Sequence, residues 1–152
     1  MILTPHILAG AAVGSKIHNY WLVAVFSVLL HFILDIFPHK EYEIEGLKTG
    51  KLNRQFLKDM AKVLLDLFAG VAIVVYLGIK TPNIKYMLTG AFFGCLPDFL
   101  MAVYYIFHLR ILKYLENFHF KIHFFRNYPD SNSLRILSQV VAALVAIILL
   151  IK

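Results

Sequence analysis

The sequence predicts an all-α protein, an integral membrane helical bundle of about four transmembrane helices plus a short N-terminal helix, forming one domain over residues 1–152. Three observations predict it. Hydrophobic residues make up 60% of the chain and charged residues only 16%, which is too little polar surface to cover a globule in water. Mean hydropathy is +0.72. Apolar runs near the ~20 residues that a spanning helix requires recur between short polar segments, and together they use up most of the length, leaving no room for a separate soluble domain.

The first helix is predicted from about Pro5 to Ser15, with Thr4 as N-cap and Pro5 at the first helical position, where its missing N–H does no harm. It is too short to span alone. Gly10 and Gly14 form a GxxxG spacing that permits close backbone approach to a neighbour. A spanning helix follows over Tyr20–Phe37, opening on a Tyr-Trp interface pair and ending at Pro38. The polar stretch from His39 to Lys58 is predicted as an exposed loop. The next span, Met60–Ile79, ends in a Thr81-Pro82-Asn83 turn. Met87–His108 carries a second GxxxG at Gly90 and Gly94, then Pro97 and Asp98; Pro97 is expected to break the helix and expose backbone toward a cavity. Residues 109–133 are aromatic and basic, closed by the turn signal Tyr128-Pro129-Asp130-Ser131-Asn132, and the final span Leu134–Ile151 is almost wholly aliphatic. The likeness of LAGAAVG (8–14) to LTGAFFG (88–94) is read as convergence on a small-residue packing face.

The formal charge is +6, yet the Lys and Arg residues flank the apolar runs, as in a protein seated against anionic headgroups. The lipid bilayer is therefore the expected partner, and nucleic acid is not expected. The single Cys95 excludes an intramolecular disulfide and a CxxC metal knuckle, which suits the cytoplasmic (inner) membrane of a microbe. The segment MILTPHILAGAAVGSK lacks a basic n-region and is expected to be retained. If helix one and the four spans alternate direction, residues 39–62 and 110–135 share one face and carry eleven of the 15 Lys and Arg. The positive-inside rule makes that face cytoplasmic in a multi-pass topology.

Ionisable groups inside spans cost about 2.5 to 3.5 kcal/mol for a central Asp, so each calls for a partner or a function. His31 and Asp35 stand four apart, on one helical face, a good spacing for giving an imidazole and a carboxylate to one or two cations. His119 and His123 repeat the spacing as HxxxH, which can grip one zinc. Helix alternation brings His6, Asp66 and Asp98 toward the same face. The candidate metal ligands are thus His6, His31, Asp35, Asp66, Asp98, His119 and His123, with Asp66 or Asp98 free to act as a catalytic base. His39, just after Pro38, is a possible further ligand or acid/base. Structural alternatives stand beside these. His31 and Asp35 can be a hydrogen-bonded pair, Asp66 can cap or bridge two helices, and His119 and His123, among Phe118, Phe120, Phe124 and Phe125, can lie on an interfacial helix with its aromatics in lipid. His18 and His108 are assigned to the interface.

Four elements together, Thr4-Pro5-His6-Ile7-Leu8-Ala9-Gly10, Leu30-His31-Phe32-Ile33-Leu34-Asp35, Gly94-Cys95-Leu96-Pro97-Asp98 and the late His pair, resemble the LexA-binding, inner-membrane-associated hydrolases, also called membrane-bound metal-dependent hydrolases. These are similar in turn to the zinc-dependent phospholipase C and P1 nuclease group. The resemblance implies a helical metal site with His6, His31, Asp35, Asp98, His119 and His123 as ligands. The expected function is hydrolysis of a phosphoester, with a phospholipid headgroup among the candidate substrates, by water activated on one to three divalent ions, zinc first among them. A small metal-ion or proton transporter is the competing expectation, and a non-catalytic assembly subunit the third. Oligomeric state is not legible.

Overall fold

The computed structural model describes residues 1–123 and 132–152. These form seven helices: α1 (Leu3–Lys16), α2 (Tyr20–Ile36), α3 (Glu45–Lys48), α4 (Arg54–Gly78), α5 (Ile84–Phe107), α6 (Leu112–Ile122) and α7 (Asn132–Ile151), with no strand among the described residues. Phe124, Phe125 and the 128–131 part of the expected turn lie outside the described residues. The predicted all-helical bundle is what the chain forms.

Local chemistry sets most of the helix ends. Asn19 caps α2 by accepting from the Trp21 and Leu22 amides, and Asn53 caps α4 by accepting from the Phe56 amide. α5 ends at His108 in the left-handed conformation, φ 52°. The start of α1 differs from expectation. The helix begins at Leu3, and Thr4 sits in its first turn rather than capping it. Its orphan amides are met from other parts of the chain: the Leu3 N–H donates to the Tyr42 hydroxyl at 3.2 Å and the Thr4 N–H to Asp66 Oδ2 at 3.1 Å.

α1 is the centre of the bundle, packed against α2, α4, α5 and α7. Its 14 residues give a length of ~21 Å, short of the ~30 Å hydrocarbon core, but Ile7, Leu8 and Ala11 are wholly enclosed and nearly every face is buried. A helix that is apolar all round is stable only inside other elements. The surrounding helices turn their apolar side chains outward: Leu65 and Phe68 on α4, Phe92 and Phe99 on α5, Leu144 and Ile148 on α7 are exposed, while His6, His31, Asp35 and Asp59 are buried. Polar residues inside and apolar residues outside suit hydrocarbon as the solvent. α4, α5 and α7 are long and apolar enough to cross a membrane; α2, with 17 residues, is a shorter apolar helix. The protein is membrane-embedded.

The two GxxxG faces meet each other. A Cβ on Gly10 would overlap the Gly90 carbonyl, one on Gly90 the Gly10 carbonyl, one on Gly94 the His6 carbonyl and one on Gly14 the Tyr86 carbonyl. The pairs 10/90, 6/94 and 14/86 fix α1 and α5 as antiparallel in one register, backbone on backbone. The likeness of the two segments is thus a packing device used from both sides. α5 continues through Pro97 to Phe107 without the expected break.

The expected exposed loop after α2 instead folds back on the bundle. Ser138 Oγ on α7 donates to the Pro38 carbonyl, and Gln139 Nε2 donates to the Lys40 carbonyl at 2.9 Å. Further on, buried Asp59 accepts from the Gly46 amide and Gln55, holding α3 against α4. These contacts close the end of the bundle where α1 begins and α2 finishes.

Candidate metal centre

The α1–α5 register decides where the titratable groups meet. His6 lies one turn before Gly10, opposite Gly94, and Asp98 lies one turn beyond Gly94, so the glycine contact brings the two side chains to one place. On α2, helical spacing stacks His31 over Asp35. α6 lies across this end and turns His119 inward, 3% exposed, while Phe118 and Phe120 face outward. A buried histidine and outward aromatics are therefore the two sides of one helix.

Asp35 is the hub. His6 Nε2 lies 3.2 Å from its Oδ1, His31 Nε2 3.1 Å and His119 Nε2 3.0 Å from its Oδ2, and His123 Nε2 3.8 Å from Oδ2. The Met1 ammonium lies 2.9 Å from Oδ1. Asp98 faces the same imidazoles at 3.7 to 4.0 Å, and its side chain keeps 21% of its surface exposed. His31, Asp35, Asp98 and His119 each offer a ligand atom, and these atoms lie within 4.8 Å of one another. Such a group can hold a metal ion.

The hydrogen bonding around this group is incomplete in a telling way. His31 Nδ1 is 2.8 Å from the Gly94 carbonyl, an acceptor, so Nδ1 carries the proton and donates it there. Nε2 then points at the Asp35 carboxylate 3.1 Å away, and either a proton on Nε2 or a metal ion between the two must join them. Among the described residues His6 Nε2, His31 Nε2, Asp35 Oδ2 and Asp98 Oδ2 are buried without a hydrogen-bond partner. Orphaned buried acceptors each cost about 1 to 3 kcal/mol. A divalent cation held by His31, Asp35, Asp98 and His119 would satisfy three of these atoms and leave His6 Nε2, which stands outside that group; an imidazole held by its second nitrogen on a backbone carbonyl is the usual support of a metal ligand.

Asp66, named from the sequence as ligand and base, is bound elsewhere. Its Oδ1 accepts from the Thr4 hydroxyl at 2.5 Å, and its Oδ2 accepts from the Thr4 amide and the Tyr42 hydroxyl. The carboxylate thus caps α1 from α4 and bridges to the 37–44 segment. Burial and Asp66 together push the Tyr42 phenol well above its usual range, so it stays a donor.

His39 was weaker in the sequence than the structure makes it. Its Nε2 lies 3.7 Å from Asp35 Oδ1, and its Nδ1 is held 2.8 Å from the Phe37 carbonyl. Asp35, His39 and His123 form a second group able to hold an ion. The signal was the continued spacing 31, 35, 39, masked by Pro38, which ends the helix before the pattern closes. Burial first, and for His39 then the nearby N-terminal ammonium, lowers the imidazoles of His39 and His123 to about 4. Both rings are neutral at pH 7, the state that binds metal. His18 and His108 are exposed and take no part.

The chain matches no protein-family model, and no curated protein or solved structure is significantly similar to it. Fold and site define the class on their own terms: a membrane-embedded helical bundle with a buried His/Asp centre that can hold metal.

Proposed function

We propose that the protein is a membrane-bound metal-dependent hydrolase of phosphoesters, a multi-pass protein of a microbial inner membrane with its site toward the cytoplasm. The observation that carries this reading is the convergence of His6, His31, Asp35, Asp98 and His119 with inward-facing atoms that lack partners. Nitrogen and oxygen donors in this mixture suit zinc among the divalent ions. A bound divalent ion polarises a phosphoryl oxygen and lowers the pKa of water toward neutrality.

The chain's own groups divide the remaining work. Asp98, partly exposed where Asp35 is sealed, would hold the ion through one oxygen and take a proton from attacking water through the other. A cleft of about 500 Å³ lies between the first turn of α1, residues 40–43 and α7, and none of the His or Asp residues of the cluster lines it. Ile136, Val140 and Ala143 make an apolar wall there, and Lys40 and Lys62 stand against Glu41 and Glu43, so the cleft carries no net positive charge. Orientation is supported by the basic residues of 39–62 and 110–135. An ion pathway would need ligands through the bilayer depth, whereas the described ones gather at one end.

The test is hydrolysis of a synthetic phosphodiester and of phospholipid vesicles by detergent-purified protein. Turnover should require the metal and should fall about 10²-fold or more in Asp98→Asn. Metal-loaded protein with no turnover on any phosphoester in such a panel would overturn the reading.

A further inference from the structure

We propose that the centre holds two divalent cations side by side, bridged by the Asp35 carboxylate, with the second cation bound by Asp35, His39 and His123. This rests on the metal-binding part of the function proposed above and is independent of hydrolysis.

The donors outnumber one ion. Five imidazoles, those of His6, His31, His39, His119 and His123, face the two carboxylates of Asp35 and Asp98, whereas a zinc ion takes about four ligands. One ion bound by His31, Asp35, Asp98 and His119 would leave His39 Nε2 buried and without a partner among the described residues. His39 is only 7% exposed, so water cannot readily relieve it.

Asp35 is common to both ligand groups. Its Oδ1 accepts from the Met1 amino group and faces His6 and His39, and its Oδ2 faces His31, His119 and His123. A carboxylate has about four lone-pair sites and can bind one ion through each oxygen. Paired ions in hydrolytic sites stand about 3.5 to 4 Å apart, a separation that one carboxylate can bridge.

The second group also has the supporting contacts of a built site. His39 Nδ1 is fixed on the Phe37 carbonyl, and His123 Nδ1 faces Glu41 Oε1 at 3.5 Å. Each contact places the proton on Nδ1 and turns the Nε2 lone pair inward.

The experiment uses the full chain in detergent, stripped with a chelator and reloaded with Zn²⁺ alone for counting or with Mn²⁺ alone for electron paramagnetic resonance. About two ions per chain are expected, with Mn²⁺ giving the spectrum of an exchange-coupled pair. His39→Ala and His123→Asn should each fall to about one ion and give the signal of an isolated Mn²⁺. If one variant fails to fold, the other carries the test. One ion in the wild-type chain, or two ions retained in both variants, or two uncoupled ions, would overturn the proposal. A coupled pair without phosphoesterase activity would uphold it and remove only the proposed reaction; activity with a single ion would do the reverse.

Discussion

His31 and Gly94 are joined by a 2.8 Å hydrogen bond from the imidazole Nδ1 to the backbone carbonyl. Gly94 is also where α5 touches the His6 carbonyl so closely that a Cβ would overlap it. One residue therefore sets the approach of α1 to α5 and orients a ligand on α2. Helix packing and site geometry are a single arrangement here.

Enlarging the glycine face should damage both together. Gly94→Leu or Gly90→Leu drives a side chain into the α1 backbone, which cannot give way as a flexible side chain can. Overpacking of this kind costs about 1 to 3 kcal/mol, and bound metal should fall in step with the thermal midpoint in detergent. A variant with unchanged melting and full metal content would separate the site from the register.

Much of the centre was legible because intramembrane ionisable residues are costly and therefore informative. The spacing of His31 and Asp35 on one apolar helix is enough to place them together. The pairing of the two GxxxG segments was not legible, since the sequence shows that each permits close approach and not which partner it meets. Asp66 was misplaced for a related reason. Its cost is offset by Thr4 and Tyr42, which lie 62 and 24 residues away along the chain, and no local pattern announces such partners. The loop after Pro38 reads as exposed by composition, yet Ser138 and Gln139 hold its carbonyls.

Asp66→Ala should therefore act on stability and spare the metal. It strips the acceptors of the Thr4 amide and the Tyr42 hydroxyl, while the Thr4 hydroxyl keeps the Asp66 backbone carbonyl, and orphaned donors cost about 1 to 3 kcal/mol. Melting and metal analysis of the same sample distinguish this from a ligand role, in which metal would be lost first.

Chelation should lower thermal stability. Asp35 and Asp98 face the same imidazoles in the bundle interior, and without a metal ion the Met1 ammonium offsets only one of the two carboxylate charges in low dielectric. An ion at 100 times its Kd contributes about 2.7 kcal/mol, so the melting midpoint should drop with chelator and recover on adding Zn²⁺. A midpoint indifferent to both would show that the centre does not depend on metal.

Orientation can be read from one cysteine. With Cys95 replaced by Ser, Leu52→Cys lies on an 84% exposed position between α3 and α4. In intact cells it should resist a membrane-impermeant thiol reagent and react after permeabilisation. Strong labelling from outside would reverse the proposed topology.

The most direct measurement is the metal content of the detergent-purified chain beside that of Asp35→Ala, each checked for helical content. Asp35 contacts His6, His31, His39, His119 and His123, so its loss removes the hub while the Gly10–Gly90 packing stays in place. The wild-type chain should retain divalent metal through purification and the folded variant should hold almost none. Metal-free wild-type protein that refuses added Zn²⁺, or equal occupancy in the folded variant, would contradict a metal centre built on Asp35.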